Sequence, residues 1–287
     1  MKKSYRIPVG IILSILVISN TNCSKNNSTS PPVPDVQLET SATLGKYLVD
    51  KFGHTLYFFA GDVSGQSTCT GNCELSWPIY SDSNLQASSL GAGLSLTDFA
   101  SISTPEGKAQ LTYKGWPLYN FAPGGIQEGV GQITGDGLDG GLFLLAKPDY
   151  TIMIGNAQLV GNDGNDYTPP AYTSGSVGIT TYFTDARGGT LYTFANDSAS
   201  ENKFTKSDFS NNTTFPIYDT ATIVVPSTLN KALFTTTNVF GKTQLSYNGW
   251  PLYYFGADAV RGNTKGVSLG PKKWPVAMAT TPPAPHQ

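Results

Sequence analysis

The chain has 287 residues, a net charge of −2, 39% hydrophobic residues and only 13% charged ones, about half the charged share usual in globular proteins. Apolar content of this size supports a packed core and excludes wholesale disorder, while the near-neutral charge offers no footprint for nucleic acid. The 31 Gly and 19 Pro, among abundant Ser, Thr, Asn and Tyr, point to a turn-rich, β-rich protein.

Residues 1–22 read as an export signal. Lys2, Lys3 and Arg6 make a basic start, and Ile7 to Ile18 is an apolar run, too short to span a membrane and of the right length for a signal core. Cys23 follows directly, as at the lipidation site of bacterial lipoproteins, with Asn20 and Asn22 where small residues are usual. The expectation is a lipid on Cys23 and a membrane anchor at the cell envelope, outer membrane or cell surface. Removing residues 1–22 deletes three cations and takes the charge from −2 to −5. Residues 23–40, rich in Pro, Ser and Asn, read as a tether holding the folded body off the membrane.

A first unit is expected over 41–155 and a second over 177–280, because the chain repeats itself. YLVDKFGHTLY at 47–57 returns as YFTDARGGTLY at 182–192, and GKAQLTYKGWPLYNF at 107–121 returns as GKTQLSYNGWPLYYF at 241–255. The second of these makes Trp116 and Trp250 counterparts, and Pro78-Ile79-Tyr80 returns as Pro216-Ile217-Tyr218, which makes counterparts of Trp77 and Phe215. Inside each unit Leu-Tyr-x-Phe occurs twice, at Tyr57, Tyr119, Tyr192 and Tyr253. Tyr and Phe two apart share one face of a strand. Helical periodicity is nearly absent, with short turns expected near Ser95–Asp98 and Ser227–Leu229, each opened by a capping Ser. Residues 156–176 read as a linker and 281–287 as a disordered tail. The fold class expected is all-β: two tandem units of short antiparallel strands and hairpins with a pseudo-twofold relation, either sandwich-like or propeller-like.

Asp stands five residues after the Tyr in three elements, as Asp62, Asp197 and Asp258, whereas the element of Tyr119 has Gly124 there. Together with STCTGNCELSWP at 67–78 and Y-x-G-W-P-L-Y-x-F, this resembles the bacterial secreted repeat known as the lipoprotein Y-x4-D repeat. The resemblance spans about 43–147 and 178–279. It implies a secreted, lipid-anchored protein of unsettled function, with haem association or electron transfer suspected for some members.

Cys69 and Cys73 flank a short Gly-containing loop and, outside the cytoplasm, are expected to form a disulfide. Zinc would need two further ligands, and His54 and His286 are the only histidines. Covalent haem attachment would need a His where Glu74 stands, which leaves His54, with Met153 or Met278, as the ligands of a runner-up haem reading. His54 has Gly189 as its counterpart, so a loop position is expected for it. Recurrence of the Tyr and Asp residues favours a structural role, with hydroxyls finding carboxylate or backbone partners. Phe58 and Tyr254, at the variable middle position of the element, are the expected exposed surface contacts.

Two enzyme-like patterns fail on context: Gly266–Gly270 is followed by prolines where a nucleophile elbow needs a helix, and Gly135–Gly140 is followed by Leu142–Leu145, which reads as a strand where a dinucleotide site needs a helix. Asp136, Asp139, Asp163 and Asp166 complete no EF-hand loop. With no usable Ser–His or paired-carboxylate arrangement, a hydrolase is the least supported reading. The expected function is a non-enzymatic surface binding or structural module with an unknown ligand or protein partner. No metal and no cofactor is called for, haem remaining the alternative.

Overall fold

The computed structural model describes Met1, residues 32–270 and residues 272–286. The signal segment and Cys23 lie outside the described residues. Residues 33–287 form one compact body. Its strands are short and antiparallel: β1 (Val36–Ser41), β2 (Gly45–Asp50), β3 (Tyr57–Phe59), β4 (Phe99–Ser103), β5 (Ala109–Tyr113), β6 (Trp116–Pro117) and β7 (Phe143–Leu145) in the first unit. The second has β8 (Met153–Val160), β9 (Asp166–Tyr167), β10 (Ile179–Thr184), β11 (Phe234–Val239), β12 (Lys242–Tyr247) and β13 (Trp250–Pro251). They make small sheets with orders β1-β2, β3-β7, β4-β5-β6, β10-β8-β9 and β11-β12-β13, packed in a sandwich-like way without closing a barrel.

The same hairpins recur. β1 pairs β2 as β8 pairs β10, and β4-β5-β6 matches β11-β12-β13. Both GWP segments start from turns whose Gly115 and Gly249 have positive φ, and Trp116 and Trp250 pair back to Tyr113 and Tyr247. Asp50 and Asp185 shape the two remaining turns: one carboxylate oxygen accepts the N–H of Phe52 and of His54, and in the second unit of Arg187 and Gly189.

The sheets are joined by a closed ring of three backbone hydrogen bonds that appears four times among the described residues. Leu48 N donates to Ala146 O, Ala146 N to Leu56 O, and Leu56 N to Leu48 O. Equivalent rings join Leu111, Tyr80 and Leu118; Phe183, Ala277 and Leu191; and Leu245, Tyr218 and Leu252. Each ring satisfies buried backbone groups at a point where three chain segments meet and no long ladder could do so. In every ring one segment belongs to the sister half of the same unit, so the halves are exchanged.

Several sequence expectations are corrected here. Residues 36–40, read as the end of the tether, belong to β1, because they pair with β2 and bury Val36. Residues 156–160, read as linker, continue β8, and β9 pairs with its end, because β8 supplies the second unit with the strand that β1 supplies to the first. The tail is docked: Ala284 is buried and its N–H donates to Asn248 O, while Pro285 O accepts Ala199 N–H. Ser227 opens no helix; the short 3-10 turn is Lys231–Leu233, capped by the Asn230 side chain. The 3-10 turn at Leu96–Asp98 is present, but the Ser95 hydroxyl bonds Thr97 instead of capping it.

Candidate functional site

At the centre of each unit two tyrosines face each other across a two-residue antiparallel contact. Tyr57 and Tyr119 exchange both backbone hydrogen bonds, at 2.8 and 3.0 Å, as do Tyr192 and Tyr253, at 2.8 and 2.9 Å. All four side chains are fully buried. Their hydroxyls do not turn to the Asp of their own element. Tyr119 donates to Asp62 at 2.6 Å, Tyr192 to Asp258 at 2.6 Å and Tyr253 to Asp197 at 2.8 Å. Each hydroxyl crosses to the carboxylate of the sister half.

Tyr57 completes the set through a residue that sequence reasoning missed. Glu128 accepts its hydroxyl at 2.5 Å, standing nine residues after Tyr119 where the other elements place Asp after five. The loop carrying Glu128 is longer and contains the Pro123–Gly125 turn, so the spacing pattern hid it. The signal that could have found it lies downstream: an acidic residue, six or seven positions, then Thr-Gly or Lys-Gly, as in Glu128…Thr134-Gly135 and Asp258…Lys265-Gly266. Thr134 N donates to Glu128 and Gly135 N to the Tyr57 hydroxyl, while Lys265 N and Gly266 N do the same for Asp258 and Tyr192. Asp62 and Asp197 are held likewise by Thr68 and Lys203 N–H groups at 2.7 Å. Each carboxylate thus accepts a phenol on one oxygen and a loop N–H on the other, tying its loop shut.

Burial sets the electrostatics. It pushes the carboxyls of Asp62, Asp197 and Asp258 up, to about 6, about 7 and about 6, against hydrogen bonds that pull them down. Burial and the facing carboxylates also push all four tyrosine hydroxyls well above the ordinary phenol value. The hydroxyls therefore stay protonated as donors.

A stacked aromatic pair roofs each tyrosine pair. Trp77 lies on Phe143 at 3.6 Å and Phe215 on Trp274 at 3.4 Å. Trp77 meets Tyr57 edge-on at 5.4 Å and Phe215 meets Tyr192 edge-on at 6.3 Å, so the expected equivalence of Trp77 and Phe215 is the one observed. Phe143 and Trp274 are the second equivalent pair, which sequence comparison of the units passed over.

The remaining site expectations fare unevenly. Cys69 and Cys73 are joined, with Cα atoms 5.3 Å apart. Phe58 and Tyr254 are not exposed contacts. Phe58 is 2% exposed and packs near Trp116, and Tyr254 donates to Asp185 at 3.0 Å and leans on Tyr218. The middle position fails as a surface because the strand is sandwiched: Tyr57 faces one core cluster and Phe58 another. His54 sits on the Asp50 turn, its Nδ1 3.2 Å from Asp50 Oδ2. Met153 is buried in β8, and Met278 lines a groove of about 520 Å³ in the second unit with Pro169, Tyr172, Trp250 and Val276. Among the described residues no helix is long and apolar enough to cross a membrane.

A family model described as a secreted repeat of unknown function matches residues 40–80 and 235–278. No curated protein and no solved structure matches the chain. The matched segments are sister pieces of structure, each running from a strand through the Leu-Tyr-x-Phe element and its carboxylate loop to the Trp-Pro that follows, Trp77-Pro78 in one and Trp274-Pro275 in the other. Two segments of the chain, one in each unit, are thus similar to the secreted repeat of unknown function.

Proposed function

We propose that the protein is an extracytoplasmic lipoprotein, anchored in the cell envelope through Cys23 and a tether ending before β1, that serves as a surface binding or structural module and catalyses no reaction. The observation that carries this reading is how the repeated motif is used. All four recurrent hydroxyls are buried, as are the carboxylates of Asp62, Glu128 and Asp197, with Asp258 half-buried, and each pair is bonded internally and to loop backbone, which leaves little of it to a dissolved substrate. What the surface offers instead is apolar: Phe52, Ile126 and Val130 on the first unit and the Trp250 groove on the second. Such patches are features of contact surfaces.

Anchoring is tested on the mature protein by detergent partition. The wild type should enter the detergent phase and Cys23→Ala should stay in water. A wild type that partitions into water, with an unmodified amino terminus by mass spectrometry, would contradict the anchor. The visible spectrum of protein purified from its native membrane tests the rest of the reading: no Soret band is expected, and one haem per chain would replace the module with a redox component.

A further inference from the structure

Within the chain the two units meet turn on turn. The Trp116 indole N–H donates to Ala186 O at 3.0 Å. Arg261 fills the seam, donating from Nε to Val63 O at 2.7 Å and from Nη1 to Lys114 O at 3.2 Å, with its guanidinium 4.5 Å from the Trp116 ring centre. Gly115 leaves it room, since a Cβ there would come within 2.0 Å of Nη1. Arg187, on the same turn as Ala186, pairs with Asp98 at 2.7 Å.

The repeat places the same two kinds of turn at the outer faces. Asn248-Gly249-Trp250 corresponds to Lys114-Gly115-Trp116, and Lys51-Phe52-Gly53 corresponds to Ala186-Arg187-Gly188. Gly131 N donates to Gly53 O as Gly262 N donates to Gly188 O, which sets Val130 in the place of Arg261. The Trp250 turn is covered by the chain's own residues 281–285: Trp250 Nε1 donates to Pro282 O at 2.8 Å, Asn248 Nδ2 to Thr281 O at 3.1 Å, and Ala284 N to Asn248 O at 3.0 Å. No such cap is bonded to the other outer turn among the described residues. Phe52 is 66% exposed and Val130 67%.

We propose that these outer turns are the two halves of one contact: the Trp250 turn of one copy docks on the Phe52–Gly53 turn of a second copy, and residues 281–285 are an intramolecular cap that holds this association in check. The internal seam is the template. Lys51 O stands where Ala186 O accepts the Trp116 indole, and Pro282 O meets that need for Trp250 while the cap is closed. Phe52 and Val130 are apolar where Arg187 and Arg261 stand inside, so the docked Trp would bury no cation. The contact joins unlike surfaces, so it leaves a free turn at each end of a dimer and can add further copies in a row.

The test uses residues 24–287, which carry no lipid and include the whole compact body, with Ala284→Asp. A Cβ on Gly249 would already lie 3.2 Å from the Ala284 methyl, so a carboxylate has no place there and the cap is released. By sedimentation, this lipid-free chain with Ala284 in place should be a monomer. Ala284→Asp should at least double its weight-average mass as concentration rises, and adding Phe52→Asp or Val130→Asp should restore the monomer. Those two side chains are exposed, so their replacement leaves the core untouched. A released variant that stays monomeric while Trp250 emission shows it uncovered would overturn the proposal. Association that persists unchanged with Phe52→Asp would overturn it equally. Should Ala284→Asp not fold, the chain without residues 282–287 is read by the same criteria.

Discussion

Tyr253 passes over Asp258, five residues away, and bonds Asp197 instead, 56 residues earlier in the chain. This choice was not legible in the sequence. Spacing shows that a Tyr and an acid recur together, whereas which acid each Tyr meets depends on the exchange of halves. Glu128 was hidden for a related reason: a longer loop with a longer side chain reaches the same point in space. The chemistry of the pairs gives a pH prediction. Asp62, Asp197 and Asp258 titrate near 6, 7 and 6 in the folded protein, against about 3.9 in an unfolded chain. Between those values the folded state holds protons that the unfolded state has released, so their contribution to stability is complete below pH ~4 and is lost as pH rises to ~7. The urea midpoint of the wild type should therefore fall between pH 5 and 8, and Asp197→Asn should make that fall shallower. A steeper fall in Asp197→Asn would refute the raised carboxyl.

At the scale of elements, the repeated hairpins and the Leu-Tyr-x-Phe strands could be read directly, because aromatic and β-branched residues between Gly and Pro turns leave few alternatives. The buried position of Phe58 could not. Alternation predicts one buried face, yet β3 lies between two core clusters and buries both Tyr57 and Phe58. The stacked pair over each tyrosine contact is one Trp and one Phe in either order, Trp77 on Phe143 and Phe215 on Trp274. Trp77→Phe combined with Phe143→Trp, the order found in the second unit, should accordingly cost less than about 1.5 kcal/mol. Trp274→Ala should cost ~3–5 kcal/mol, since Phe194, Phe204, Phe215 and Tyr253 all pack on that ring. Denaturant midpoints at constant slope read both, and equal costs would refute the equivalence.

Across the whole molecule the units share a plan but close their loops differently. Cys69 occupies the loop position held in the second unit by Phe204, which packs on Trp274, and Asn202 and Asn211 pin that loop through backbone bonds. The second unit thus has packing where the first has a covalent staple. Replacing Cys69 and Cys73 together by Ala should cost about 1–3 kcal/mol without abolishing folding. Arg261 is the molecule-wide link, and burial lowers its pKa to about 10, which leaves it charged at neutral pH. Nothing in the sequence marked it, because its counterpart Val130 is of another chemical class. Arg261→Ala should cost ~2–3 kcal/mol through two lost charged hydrogen bonds and the Trp116 contact.

The reciprocal tyrosine–carboxylate crossing is what makes two halves one unit, and a pair of double-mutant cycles at pH 8 measures it most directly. Tyr253→Phe combined with Asp197→Asn should show a coupling of about 1–2 kcal/mol. Tyr253→Phe combined with Asp258→Asn, the pair adjacent in sequence, should be additive within ~0.5 kcal/mol. Coupling in the sequence-adjacent pair and additivity in the crossed pair would contradict the exchange of halves.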